Sequence, residues 1–390
     1  MSVVHIALVG GQTMPVYLAA RESKADKFVL VHSSSTQKTA ERLRKDISAD
    51  YGKQVDMLEL DPNDYFKADE QLKQLLENYA GCTVEVNISS GTKPWTVAVA
   101  KLSEKYKNVE LIYVDQNSRI YNYAKDSVAK DSVKNIDNMS ISEIFKFNQT
   151  TVQSYVKMTD YTEDDLDQLK EIKAARRKYS RQFNDLTIPR KDNQKLKNAF
   201  QFNKTGNYVD ERTQSEIEWN KDMDGEQYVR MYVIGYGGHH EEFEFQSPHA
   251  FDMAVTSGWF EYEVAEILSH WKTQCPEIWM NIVFPYNNRN PKNEIDVIVN
   301  AGTKLLFVEC KTQINDNTDI DKFASAVKNY GGMGAKALFI TEQEMTAQAV
   351  EKCETNKIAH FSLIDGNHKQ RSRKSLFELL DTIMPENNAR

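Results

Sequence analysis

Apolar and polar positions repeat with different periods along this chain. Short apolar runs at 3–9, 27–32, 55–60, 83–87 and 109–114 read as buried strands. Between them, apolar residues recur three and four apart. This spacing predicts helices from Pro15, over 36–51, over 65–78 through Leu72, Leu75 and Leu76, and from Lys93 to about 105. Pro15 suits the first turn of a helix, where its missing N–H costs nothing. Strand-helix alternation of this kind specifies a mostly parallel sheet with helices on both faces. A strand at 119–123, after the polar turn Gln116-Asn117-Ser118, adds a hairpin.

The pattern then loosens. Residues from about 124 to 160 are polar and mixed, and read as a linker with one short helix near 142–147. Residues 213–245 alternate with period two in segments 216–219, 227–234 and 242–245, a β meander. A helix is expected over 257–271, with Phe260, Val264, Ile267, Leu268 and Trp271 as its buried stripe. Strands follow at 279–284, 294–300 and 304–311. Then come a helix at 321–330 stopped by Gly331-Gly332, a strand at 335–340, a helix at 344–352 and a strand within 357–363. The expected division is a Rossmann-like α/β domain over 1–147, a linker and β-rich insert over 148–250, and a second α/β domain over 251–390.

Composition narrows the class. A chain of 390 residues with 40% hydrophobic and 27% charged residues is an ordinary globular protein of two domains. No apolar run approaches the roughly 18 residues of a membrane helix. The start lacks the basic stretch and cleavage site of a signal peptide. Cys82, Cys275, Cys310 and Cys353 are scattered without metal-ligand spacing, which fits reduced thiols in a cytoplasm. His239, His240 and His249 belong to no tetrahedral set and read as loop residues. The net charge of −8 argues against a protein that coats DNA. One stretch is different: residues 170–204 hold eleven Lys and Arg against three acids. Tyr179, Phe183, Phe200 and Phe202 are interleaved there. Such residues can grip phosphates and stack on unpaired bases; the same run also reads as a solvated helix face.

Two groups of residues carry candidate chemistry. In a parallel sheet, ligands bind beyond the carboxyl ends of the strands. Three loops fall there: Gly11, Gln12, Thr13 and Met14; Ser33, Ser34 and Ser35; and Ser90, Gly91, Thr92 and Lys93. Each leads into a helix N-terminus, whose free N–H groups favour an anion, and Lys93 adds a cation. No GxGxxG and no GxxxxGK[ST] is present, which disfavours a dinucleotide cofactor or an NTPase site.

The second group sits on the strands at 294–300 and 304–311. Glu309 and Lys311 share a face, and a two-residue turn at Gly302-Thr303 sets Asp296 opposite Glu309. Two acids so close repel unless a divalent cation lies between them. Glu261, in the first turn of the helix before these strands, is the expected third acid. Gln313 keeps the face of Glu309 and Lys311 if the strand runs on.

This arrangement resembles the PD-(D/E)XK nuclease core, at Asp296 and at Glu309-Cys310-Lys311. With Gly258-Trp259-Phe260-Glu261, Gly331-Gly332 and the N-terminal loops, the chain resembles the CRISPR-associated effectors that join a CARF domain to such a nuclease. The resemblance covers residues 1 to about 125 and about 250 to 390. It implies a cytoplasmic homodimer that binds a cyclic oligoadenylate, cyclic tetra-adenylate above all, through the first and third of these loops, with Ser33, Ser34 and Ser35 on the same edge. It further implies that the homodimer cuts single-stranded or duplex DNA or RNA. Asp296, Glu309 and Glu261 would hold Mg²⁺ or Mn²⁺, and Lys311 and Gln313 would assist. Three other readings remain open: a restriction-type endonuclease that needs no messenger, a sensor that binds nucleic acid without cutting, and an N-terminal domain that slowly cleaves its own messenger.

Overall fold

The computed structural model describes residues 2–123, 133–135, 139–188, 193–271, 277–285, 294–314, 317–332 and 334–385. The N-terminal elements are β1 (Val3–Leu8), α1 (Met14–Glu22), β2 (Lys27–His32), α2 (Gln37–Tyr51), β3 (Gln54–Glu59) and α3 (Tyr65–Glu77). They continue with β4 (Thr83–Asn87), α4 (Lys93–Lys105), β5 (Val109–Val114), β6 (Arg119–Tyr123) and β7 (Val133–Asn135). The sheet order is β3-β2-β1-β4-β5-β6-β7. β1 to β5 pair in parallel, and β6 and β7 add antiparallel. β1 and β2 are buried on both faces, as a sheet covered by helices requires, whereas β3, expected to be buried, is an edge strand with Gln54, Asp56 and Glu59 exposed. The order reverses between β1 and β4, which opens a crevice at their carboxyl ends.

The middle elements are α5 (Ile141–Phe147), β8 (Ser154–Lys157), α6 (Glu163–Lys178), α7 (Ser180–Thr187), α8 (Gln194–Phe202), β9 (Thr205–Val209), β10 (Glu216–Met223), β11 (Glu226–Ile234) and β12 (His240–Ser247). β12-β11-β10-β9 form the expected meander with one strand more. The C-terminal elements are α9 (Ala250–Ala254), α10 (Gly258–Ser269), β13 (Ile278–Val283), β14 (Glu294–Asn300), β15 (Leu305–Lys311), α11 (Thr318–Tyr330), β16 (Lys336–Thr341), α12 (Ala347–Thr355), β17 (Ala359–Ser362) and α13 (Arg373–Ile383). Their sheet runs β17-β16-β15-β14-β13-β8, antiparallel from β8 to β15 and parallel from β15 to β17.

The structure corrects two expectations about the middle of the chain. The stretch before residue 160 is more than a linker. β8 is an edge strand of the C-terminal sheet, and Met139, Ile141, Ile144, Phe145 and Phe147 are buried. The basic segment is no mobile stacking arm. Tyr179 and Phe183 lie in the core, Phe200 is partly buried against it, and only Phe202, 72% exposed, faces solvent. Its charge alternates with apolar residues because α6, α7 and α8 are amphipathic helices packed on the meander and on α9 and α10.

α5 ties the two halves into one core. Ser140 and Glu143 form a capping box at its start. Phe147 stacks on Tyr17 of α1 at 4.7 Å, while Phe145 meets Trp279, Phe284 and Phe307 of the other sheet. Around it, Thr13 Oγ1 donates to Phe147 O at 2.6 Å and Lys304 Nζ donates to Asn117 Oδ1 at 2.8 Å. No helix among the described residues is long and apolar enough to cross a membrane. Cys82, Cys310 and Cys353 are free thiols, and Cys275 lies outside the described residues.

Candidate functional site

The hairpin register is the expected one. Val297 pairs with Val308, which carries Asp296 opposite Glu309, and Ala301 N bonds Lys304 O across the Gly302-Thr303 turn. Asp296 Oδ2 accepts from Cys310 N at 2.7 Å, which fixes its rotamer. Lys311 Nζ lies 2.7 Å from Glu309 Oε1 and 3.5 Å from Asp296 Oδ2. Glu261 enters from the first turn of α10, buried, and accepts from Ser257 Oγ at 2.7 Å. The glycine of Gly258-Trp259-Phe260-Glu261 has a steric reason. A Cβ there would meet Asp252 O at 2.6 Å, so only glycine lets α10 start against α9.

Glu261, Asp296, Glu309 and Lys311 line one cleft of about 820 Å³. Its electrostatics are those of crowded acids. Burial first, and the charge of Asp296 second, push the Glu309 carboxyl up to about 8; the same two causes raise Glu261 well above the carboxylate range. Burial would lower Lys311, but Asp296 and Glu309 outweigh it and hold it protonated. The Cys310 thiol is pushed up by burial and is inert. Among the described residues no three acids, histidines or cysteines are grouped closely enough to hold a metal ion by themselves. The Lys311 ammonium sits against both strand acids and takes the place of a countercharge. Oxygen donors under mutual repulsion fit a hard divalent cation such as Mg²⁺ or Mn²⁺.

A testable consequence concerns stability. Glu309 has a folded pKa above its ordinary 4.5, so its contribution is present at low pH and is lost as pH rises through about 8. A cation that binds these acids in the native state offsets that loss. Mn²⁺ is therefore expected to raise Tm more at pH 8 than at pH 5.5. Equal rises in differential scanning fluorimetry would count against metal at these acids.

Gln313 lies beyond the end of β15, exposed, and lines a neighbouring cleft instead. The expected continuation of the strand stops at Lys311. Sequence reasoning missed several residues on the acid cleft. Ser257 had a signal, since it stands one helical turn before Glu261. Asn281, whose φ of +51° is left-handed in the middle of β13, had none. Tyr155, Phe200 and Lys221 come from the middle segment and reach the cleft only through tertiary packing. Asp319 and Lys322 come from α11.

At the other sheet, the first and third loops meet at the switch point. Gly10 N donates to Ser90 Oγ at 3.0 Å, and Ser90 Oγ donates to Gln12 O at 2.9 Å. Gly91 takes φ +84° and leaves no room for a Cβ against Leu8. Gly11, Gln12, Ser34, Ser35 and Lys93 are exposed along this edge, with Ser90, Gly91 and Thr92 partly so. Thr92 Oγ1 is buried and finds no hydrogen-bond partner among the described residues. Thr13, Met14 and Ser33 are buried. Thr13 holds Phe147, Met14 begins α1 inside the core, and Ser33 bonds Ser35 and Thr36 as a cap.

A Rossmann-like domain with a polar loop edge is thus joined to a domain of the restriction-endonuclease class with an acid-acid-lysine cleft. The chain joins a CARF domain of the Card1 type, matched over residues 4–144, to a restriction endonuclease domain, matched over residues 258–371. No curated protein matches its sequence. Can2 from Sulfobacillus thermosulfidooxidans, solved in complex with cyclic tetra-adenylate, has a similar fold. The TM-score is 0.67 at 16% identity, over 98% of this chain and 100% of that one. Protein VC1899 from Vibrio cholerae gives 0.65 at 12% identity, over 99% and 98%. A type III CRISPR defence DNA nuclease activated by cyclic oligoadenylate gives 0.57 at 14% identity, over all of this chain and 53% of that one.

Proposed function

We propose that the protein is a divalent-metal-dependent endonuclease activated by a cyclic oligoadenylate, cyclic tetra-adenylate in the first instance, and that it acts as a cytoplasmic homodimer. The observation that carries this reading is the cleft in which Asp296 and Glu309 flank Lys311 and which Glu261 also lines, on a chain that also carries a Card1-type CARF domain.

Asp296, Glu309 and Glu261 would hold the metal. When bound, Mg²⁺ or Mn²⁺ supplies a water of lowered pKa and positive charge beside the scissile phosphate. Cys310 N and Ser257 Oγ keep Asp296 and Glu261 aimed into the cleft. Lys311, held protonated, donates to the attacking water or neutralises charge that develops on phosphate oxygen. A twofold ring such as cyclic tetra-adenylate suits a twofold dimer. It activates only if it binds the active arrangement more tightly than the resting one.

Lys93, exposed at the start of α4, is the cation best placed for a messenger phosphate. Lys93→Ala is expected to weaken messenger binding about tenfold by calorimetry, the worth of one charged hydrogen bond. An unchanged isotherm would remove Lys93 from the ligand site.

The test of the whole reading is cleavage of labelled single-stranded DNA, single-stranded RNA and supercoiled plasmid with Mn²⁺ or Mg²⁺, each with and without cyclic tetra-adenylate. Cutting that needs both metal and messenger supports it and names the substrate. Cutting indifferent to messenger indicates a restriction-type enzyme. Binding without cutting under every condition indicates a sensor.

A further inference from the structure

A second cleft, of about 560 Å³, lies at the carboxyl ends of β15, β16 and β17. It is continuous in sequence with the acid cleft. Lys311 lines the first, and Thr312 and Gln313 line the second. α10 stands between them: Glu261 faces the acids, while Trp259 and Glu263 face the second cleft. Lys311 and Gln313 are two residues apart, at most about 7 Å of chain.

Its walls differ in character. α6 supplies Lys173, Arg176 and Arg177. Arg176 donates to Ala254 O at 2.9 Å and lies over the rings of Trp259 and Phe183 at 5.3 and 5.4 Å. Its Nε is buried without a partner among the described residues. Lys173 pairs with Glu263 at 3.5 Å, and Arg177 is exposed at the rim. The facing wall offers Glu342, Gln343 and Gln370, groups that hydrogen-bond in a plane. Burial first, and Glu263 second, raise the Glu342 carboxyl, which suits it to such bonding rather than to ion pairing.

We propose that this cleft holds one nucleotide of the strand being cut, next to the scissile phosphodiester. This inference rests on the nuclease reading. Arg177 and Lys173 meet the nucleotide's phosphate, and the base enters between Trp259 and the amides, whose polar groups read its edge. The volume is in the range of small-ligand pockets, roughly 300–1,000 Å³, and takes a nucleotide rather than a duplex. Gln313 then serves recognition, not hydrolysis. The same chemistry could serve a free nucleotide, and the test separates the two.

The full-length Glu309→Ala protein is titrated with a fluorescent single-stranded hexanucleotide, alone and with Arg177→Ala or Arg177→Lys added. Arg177 is exposed and clear of the acid cleft. Its alanine variant is expected to weaken binding about tenfold and to reduce the slope of log affinity against log salt by about 0.7. The lysine variant is expected to keep the slope. In the otherwise native enzyme, Arg177→Ala is expected to raise KM about tenfold with kcat within about twofold, and to change which bases flank the cuts. Unchanged affinity, slope and cleavage pattern would overturn the pocket even where the native enzyme cuts. Binding of a nucleoside 5′-monophosphate as tight as that of the hexanucleotide, lost in Arg177→Ala, would overturn it in favour of a free nucleotide. Arg177-dependent strand binding by an enzyme that never cuts would support the pocket and overturn the nuclease reading instead.

Discussion

Glu309→Ala is expected to lower messenger-stimulated cleavage by about a thousandfold or more, because it removes charge and a metal donor at the reacting centre. Messenger binding is expected to stay intact, since the ligand loops lie on the other sheet. Glu309 stands opposite Asp296 across the hairpin and 2.7 Å from Lys311, so its loss takes one oxygen donor from the cleft and frees the lysine from one of its two acids. Asp296 remains at 3.5 Å to keep Lys311 paired, so the fold is expected to hold. Glu309→Gln keeps the shape without the charge and should be equally inactive. Cleavage of labelled nucleic acid with Mn²⁺, beside calorimetry with cyclic tetra-adenylate, checks both halves. A rate within tenfold of the native one would remove Glu309 from the chemistry.

The second large effect is expected at Phe147. It is buried, stacks on Tyr17 just after the first ligand loop, and offers its carbonyl to Thr13 of that loop. Phe147→Ala is expected to cost about 3–5 kcal/mol of stability, the usual loss for a large ring removed from a core. Phe147→Leu keeps most of the apolar volume and loses the ring stack, worth about 0.5–1.5 kcal/mol. If α5 carries the signal between the sheets, the leucine variant lowers the ratio of activated to basal cleavage at saturating messenger about tenfold, the equivalent of about 1.4 kcal/mol of coupling. A lowered thermal midpoint with an unchanged ratio would assign Phe147 to packing alone.

Both sheets were legible because their strands are periodic and their helices amphipathic. The hairpin register followed from one glycine at a two-residue turn, and Asp296, Glu309 and Lys311 followed from the register. Glu261, singled out because it directly follows Gly258-Trp259-Phe260, lines the same cleft. What was hidden depends on tertiary packing. β8 is four residues of mixed character that form a strand only beside β13. The basic run read as either a stacking arm or a solvated helix face because the apolar partners of its aromatics, such as Phe243 and Phe245, lie far along the chain. Gln313 was misplaced by extending a strand two residues past its end. The burial of Thr13 and Ser33 on the ligand edge was hidden because a loop hydroxyl reads the same whether it faces out or braces a helix.

The bridge built by α5 and β8 bears on how such proteins can be recombined. Phe145 fills the core of the C-terminal sheet, and β8 covers the edge of β13, yet both are encoded before the meander and far upstream of the acids they support. A fragment beginning at 251 would expose an apolar strand edge and lack part of its own interior, an invitation to aggregation. A chimaera that swaps in a different sensor therefore has to keep residues 139–157 with the catalytic half, and the graft point belongs upstream of α5.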